Sequence, residues 1–166
     1  MSTSTTPPTV SAWDKRSSQT VEQIYPGVTR IWLHKGQIVC YTVTSVTRAA
    51  ADAWLNSAVE LVAQWPADQP YLSIHDFSEA TLTPFIRKRS VEANKAMPPT
   101  LFGRSAVIMP RTFVNHIIRL FVTTDLSHAN KRIQRDVFFR LEEATEWLLK
   151  GMDKKPAPLP KYPLTR

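Results

Sequence analysis

Between Pro70 and Met97 the sequence spells out a strand, a polar turn and a helix in succession. Tyr71 to Phe77 is short, mostly apolar and bounded by Pro70 and Ser78, as a core strand should be. Thr83-Pro84 is a helix start, a hydroxyl cap followed by proline at the first helical position. Ile86, Ser90, Ala93 and Met97 then share one helical face, and Arg87, Lys88 and Lys95 share another. A β-to-helix unit of this kind belongs in an open α/β sheet, where sites form at the carboxyl ends of the strands. His75, Asp76 and Ser78 stand at that end.

The rest of the chain repeats the alternation. Residues 1–20 are rich in Ser, Thr and Pro, and are expected to be disordered. The fold should begin near Val21. Val28 to Leu33 and Gln37 to Thr44 are β-rich runs on either side of His34-Lys35-Gly36, where Gly36 suits a left-handed turn position, so a hairpin is expected. Thr47 caps a helix running to about Trp65, with Trp54, Ala58, Leu61 and Trp65 at helical spacing and Pro66 as its stop. Phe102 to Met109 reads as a strand and Pro110-Arg111-Thr112 as the start of a third helix. In that helix Phe113, Val114, Ile117, Ile118, Leu120, Phe121 and Val122 are apolar around nearly the whole circumference. Such a helix is either buried on several sides or offered to a partner, most simply a second copy of the chain. Ile133 to Phe139 is the last strand and Leu141 to Lys150 the last helix, with Glu142 and Glu143 at its positive end and Gly151 just past it. Residues 152–166 should be a flexible tail rich in proline and lysine.

The order β-β-α-β-α-β-α-β-α predicts one α/β domain over residues 21–151, with helices packed on a mixed, mostly parallel sheet. A chain of 166 residues that is 43% apolar can bury one real core. Cys40 is the single cysteine, which excludes an internal disulfide and fits a reducing, cytoplasmic setting. No signal peptide and no transmembrane stretch is expected.

Chemistry is sparse. With Gly27, Gly36, Gly103 and Gly151 as its four glycines, the chain holds no dinucleotide fingerprint and no P-loop. It has no nucleophile elbow and no His-Glu-x-x-His, and its histidines His34, His75, His116 and His128 are far apart. The expectation is a protein that is not an enzyme and needs no metal or cofactor.

Three features compete with bland readings. Adjacent His75 and Asp76 point to opposite faces of a strand, so they form no dyad, and Asp76 is expected to bond a turn amide. Ser78, Thr81 and Thr83 precede Arg87 and Lys88 in the first helical turn, which would suit a phosphoswitch or an anion site. Simple capping by Thr83 needs no ligand and is the stronger reading. Net charge is +7, and residues 81–140, with 11 basic and 3 acidic side chains, carry the excess. Arg104, Arg111, Arg119, Lys131, Arg132 and Arg135 could supply phosphate contacts. No nucleic-acid motif accompanies them, so nucleic acid ranks last among the partners.

From about Tyr25 to Leu149 the pattern resembles the SpoIIAA-like STAS domains, small bacterial α/β domains. The resemblance rests on the hairpin around Gly36, the helix ending at Trp65, the strand Leu72 to Ser78, and Phe138-Phe139-Arg140-Leu141-Glu142-Glu143-Ala144 leading to Trp147-Leu148. It implies a non-enzymatic regulatory module that works through protein–protein contacts, sometimes switched by phosphorylation. The Asp-Ser pair of the antagonists' switch is missing, since Ala80-Thr81-Leu82-Thr83-Pro84 stands in its place. Some relatives bind nucleotides or lipids.

Two function classes therefore stay open beside nucleic-acid binding. One is an interaction module, a homodimer joined through Phe113, Val114, Ile117, Ile118 and Phe121. The other is a domain that binds a small apolar or anionic ligand, for which those same residues could line a pocket.

Overall fold

The computed structural model describes residues 20–111 and 131–152. The expected disordered start, the third helix with Phe113, Val114, Ile117, Ile118 and Phe121, and the tail after Met152 lie outside the described residues.

Six strands and three helices follow one another as β1 (Glu22–Tyr25), β2 (Val28–Leu33), β3 (Ile38–Val43), α1 (Arg48–Ala63), β4 (Tyr71–Asp76), α2 (Pro84–Lys95), β5 (Gly103–Ile108), β6 (Ile133–Phe138) and α3 (Leu141–Leu149). They form one sheet in the order β1-β2-β3-β4-β5-β6. The first two pairings are antiparallel and the last three parallel. The molecule is thus a single α/β domain with a mixed sheet, and its chain opens with three strands where the sequence predicts two. β1 is a strand of four residues whose burial alternates only weakly. Its place comes from Arg30, buried on β2, whose Nη2 pairs with Glu22 Oε2 at 2.6 Å. Arg30 Nη1 also donates to Ser57 Oγ on α1 at 3.1 Å, so one guanidinium ties β1, β2 and α1.

The helix starts follow the sequence closely. Thr47 Oγ1 accepts from Ala50 N, and Thr83 Oγ1 accepts from Ile86 N. Each hydroxyl satisfies a helix-end amide and contributes about 1 kcal/mol. In the β2–β3 turn His34, Lys35 and Gly36 all take positive φ, at 48°, 56° and 81°. Two of the three are not glycine, and the Leu33 carbonyl holds the turn by accepting from Gly36 N and Gln37 N, both at 3.1 Å.

Parallel neighbours need crossovers, and successive crossovers of one hand along a sheet lie on one side of it. α1 and α2 accordingly pack side by side on one face, over Tyr41, Tyr71, Phe77 and Val107. α3 covers the other face, with Ala144 and Leu148 against Leu72, Ile74 and Ala106. Fully burying a side chain of this size contributes roughly 1.5–3 kcal/mol. Arg104 of β5 is buried beneath α3. Its Nε donates to Gln134 Oε1 at 3.0 Å, its guanidinium lies 4.8 Å from the Trp147 ring centre, and its Nη1 caps the helix at the Trp147 carbonyl. No described helix is long and apolar enough to cross a membrane.

Candidate functional site

Strand alternation sorts β4, β5 and β6 into two faces. On the α1/α2 side the register sets Ser73 beside Ser105 and Ser105 beside Arg135, one polar row across three parallel strands. Tyr71 and His75 flank that row on β4. Serines in place of larger apolar side chains leave the floor low, and a cavity of about 60 Å³ remains beneath the two helices. Trp54 and Ala58 of α1 and Ile86 and Asn94 of α2 wall it, with Leu82 and Met97 at the two ends of α2.

Hydrogen-bond direction fixes the chemistry of the row. An indole N–H can only donate, and Trp54 Nε1 lies 3.1 Å from His75 Nδ1. That nitrogen is therefore the acceptor. Burial first, and the Arg135 charge second, push His75 down to about 4, so the ring is neutral at physiological pH although part of it stays accessible along the cavity. A neutral ring that accepts at Nδ1 carries its proton on Nε2. Nε2 lies 3.3 Å from Ser73 Oγ and donates to it. Ser73 in turn donates to Ser105 Oγ at 2.9 Å. The imidazole also stacks on Tyr41, with 5.6 Å between ring centres and 8° between planes, and meets Trp54 edge-on. This tautomer cannot take a proton from Ser73, so the Ser73–His75 contact is not a nucleophile with its base.

Two further groups complete the floor. The Tyr71 ring is buried edge-on against Trp65, and its hydroxyl has no partner in hydrogen-bonding geometry among the described residues. Burial first, and the neighbouring Tyr41 second, raise its pKa well above the ordinary phenol value. Arg135 is 9% exposed. It donates from Nη1 to the Ile133 carbonyl at 3.1 Å and from Nη2 to Asn94 Oδ1. Asn94 is held in turn, its Nδ2 donating to the Ser90 carbonyl at 2.8 Å. Burial brings the Arg135 guanidinium down to about 10, which leaves it charged at neutral pH.

Of the residues singled out in the sequence, His75 belongs to this site. Asp76 faces away from it and accepts from the Ser78 amide at 2.8 Å. Thr83 caps α2, while Ser78, Thr81, Arg87 and Lys88 are exposed. The basic residues do not form one patch. Arg104 is buried under α3 and Arg135 under α2, on opposite faces of the sheet, because β5 and β6 present them to different sides. Arg132 bonds the Thr100 carbonyl at 3.0 Å, Arg111 and Lys131 are exposed, and Arg119 lies outside the described residues. Tyr71, Ser73, Ser105 and Asn94 escape the sequence reading, and Arg135 enters it only as surface charge. Their one sequence signal is a polar residue at an inward position of an otherwise apolar strand or helix face. No group of three metal-ligating side chains occurs among the described residues. Comparison with family models, curated proteins and solved structures finds no match for this chain.

Proposed function

We propose that this chain is a non-enzymatic, STAS-like regulatory domain that takes a small ligand into the cavity between α1, α2 and the sheet. One observation carries the reading: a cavity, apolar at Leu82, Ile86 and Met97, whose sheet wall holds the buried, unpartnered hydroxyl of Tyr71. A buried polar group left without a partner costs about 1–3 kcal/mol, and a bound ligand that meets it removes the cost. Three supports come from elsewhere. His75 holds the wrong tautomer to act as base for Ser73. The strands and helices alternate as the resemblance implies. A cytoplasmic setting agrees with a single buried thiol.

The homodimer expected through residues 112–122 rests on the sequence alone, and light scattering tests it separately. For the ligand, the experiment is a native mass spectrum of the full chain purified gently from its own host. A co-purifying small molecule that leaves on unfolding is the expected result. A bare chain that also fails to bind any compound from a library of small acids, alcohols and amides overturns the reading.

A further inference from the structure

A one-way relay of hydrogen bonds runs from α1 across the sheet behind the cavity. Trp54 donates to His75, His75 to Ser73, and Ser73 to Ser105. Each proton in that series is committed to the next acceptor. The series ends at Ser105, which lines the cavity and has its own hydroxyl proton still to give. Tyr71, two positions before Ser73 and so on the same face of β4, likewise brings an uncommitted O–H to the cavity. Arg135, beside Ser105 in the register, has N–H donors and no acceptor at all. Asn94 Oδ1, which could have supplied an acceptor, is taken by Arg135. The sheet wall thus presents protons and a positive charge, and the two ring nitrogens of His75 are both spent.

Resting on the ligand-binding reading above, we infer that the cavity selects a short-chain carboxylate, its two oxygens accepting from the Tyr71 and Ser105 hydroxyls under the charge of Arg135. A carboxylate is acceptor-only when ionised, which matches a wall that offers the free protons of Tyr71 and Ser105 beside a positive charge, and hydrogen bonds to it are stronger than those to a neutral oxygen. Leu82, Ile86 and Met97 give the cavity an apolar side that fits an alkyl chain. The volume sets the length. A cavity of about 60 Å³ admits only a few heavy atoms. Butyrate, with about six heavy atoms, is at that limit.

The test is calorimetric titration of the full chain with butyrate, n-butanol, butyramide and inorganic phosphate, on the parent and on Tyr71→Phe and Ser105→Ala. Butyrate should bind and n-butanol should not. Each variant should weaken butyrate about tenfold to a hundredfold, the loss of one hydrogen bond to a charged group, while circular dichroism reports an intact fold. Tyr71→Phe removes a single oxygen with no hydrogen bond to lose, so it should fold as the parent does, and Ser105→Ala gives an independent reading. Tighter binding of n-butanol or butyramide overturns the carboxylate while leaving a ligand-binding cavity in place. Phosphate binding without butyrate binding also overturns it. No binding of any probe overturns it as well, and the native mass spectrum then decides whether the broader reading falls with it.

Discussion

Gly151 lies against the side chain of Arg104, so closely that a Cβ at Gly151 would stand 2.5 Å from Arg104 Cδ and 2.6 Å from its Nε. The residue just past the Lys150 C-cap of α3 is thus small because a buried guanidinium passes over it. Gly151→Ala should displace Arg104 from Gln134 and from the Trp147 ring, at a cost of about 1–3 kcal/mol. In an Arg104→Ala background the same change should be nearly neutral. Urea unfolding of the two single variants and the double variant checks this, and additive costs would refute the contact.

Acid should weaken the fold through His75. Its folded value near 4 lies below the ordinary 6.5, so the neutral ring is the form that the fold prefers. The stabilisation is complete above about pH 6.5 and is lost progressively as pH falls from there toward 4, by up to about 3 kcal/mol. Trp54→Phe removes the donor that reads Nδ1 and should raise the folded value. Nitrogen chemical shifts of the ring across a pH titration follow both the tautomer and the titration. A proton found on Nδ1 in the parent would undo the relay.

Cys40 is 4% exposed on the α3 side of the sheet. Burial, with a smaller push from Asp76, raises its thiol to about 12. The thiolate is the reactive form, so alkylation at pH 8 should run about a thousandfold slower in the folded protein than in denaturant. Iodoacetamide labelling followed by mass spectrometry measures this, and makes Cys40 a reporter of global unfolding.

Glu22→Gln should loosen β1 before anything else. Arg30 keeps its bond to Ser57 but loses the counter-charge at 2.6 Å. Glu22 is partly exposed, so the cost should be about 1–2 kcal/mol, below that of breaking a fully buried pair. Amide exchange should rise across Glu22–Tyr25 and Val28–Leu33 while β4 and β5 stay protected.

The sequence made legible whatever depends on local chemistry. Thr47 and Thr83 cap their helices because a hydroxyl satisfies the same orphan amides in any fold. The apolar runs at Tyr71–Asp76 and Gly103–Ile108 are strands for the same local reason. β1 was not legible, because Glu22-Gln23-Ile24-Tyr25 has no strong pattern of its own and depends on Arg30 across the sheet. The cavity was not legible either. Ser73 and Ser105 are separated by 32 positions in sequence, and only the register makes them neighbours. Arg135 read as surface charge because period 2 alone does not tell which face of an edge strand is covered. Asn94 shares the buried face of α2 with Ile86 and Ser90, and its tie to Arg135 exists only because β6 lies beneath that face.

The strands stand across the sheet in the order in which they are synthesised. No strand has to be inserted between two that are already paired, so each can dock on the open edge left by the one before. β1, β2 and β3 can assemble while the rest of the chain is still emerging from the ribosome, and β4 and β5 can then add with their helices one unit at a time. The cavity floor needs β4, β5 and β6 together, so it is among the last features to form. Without β6 the cavity floor would lack Arg135, the one charged side chain that β6 brings to it.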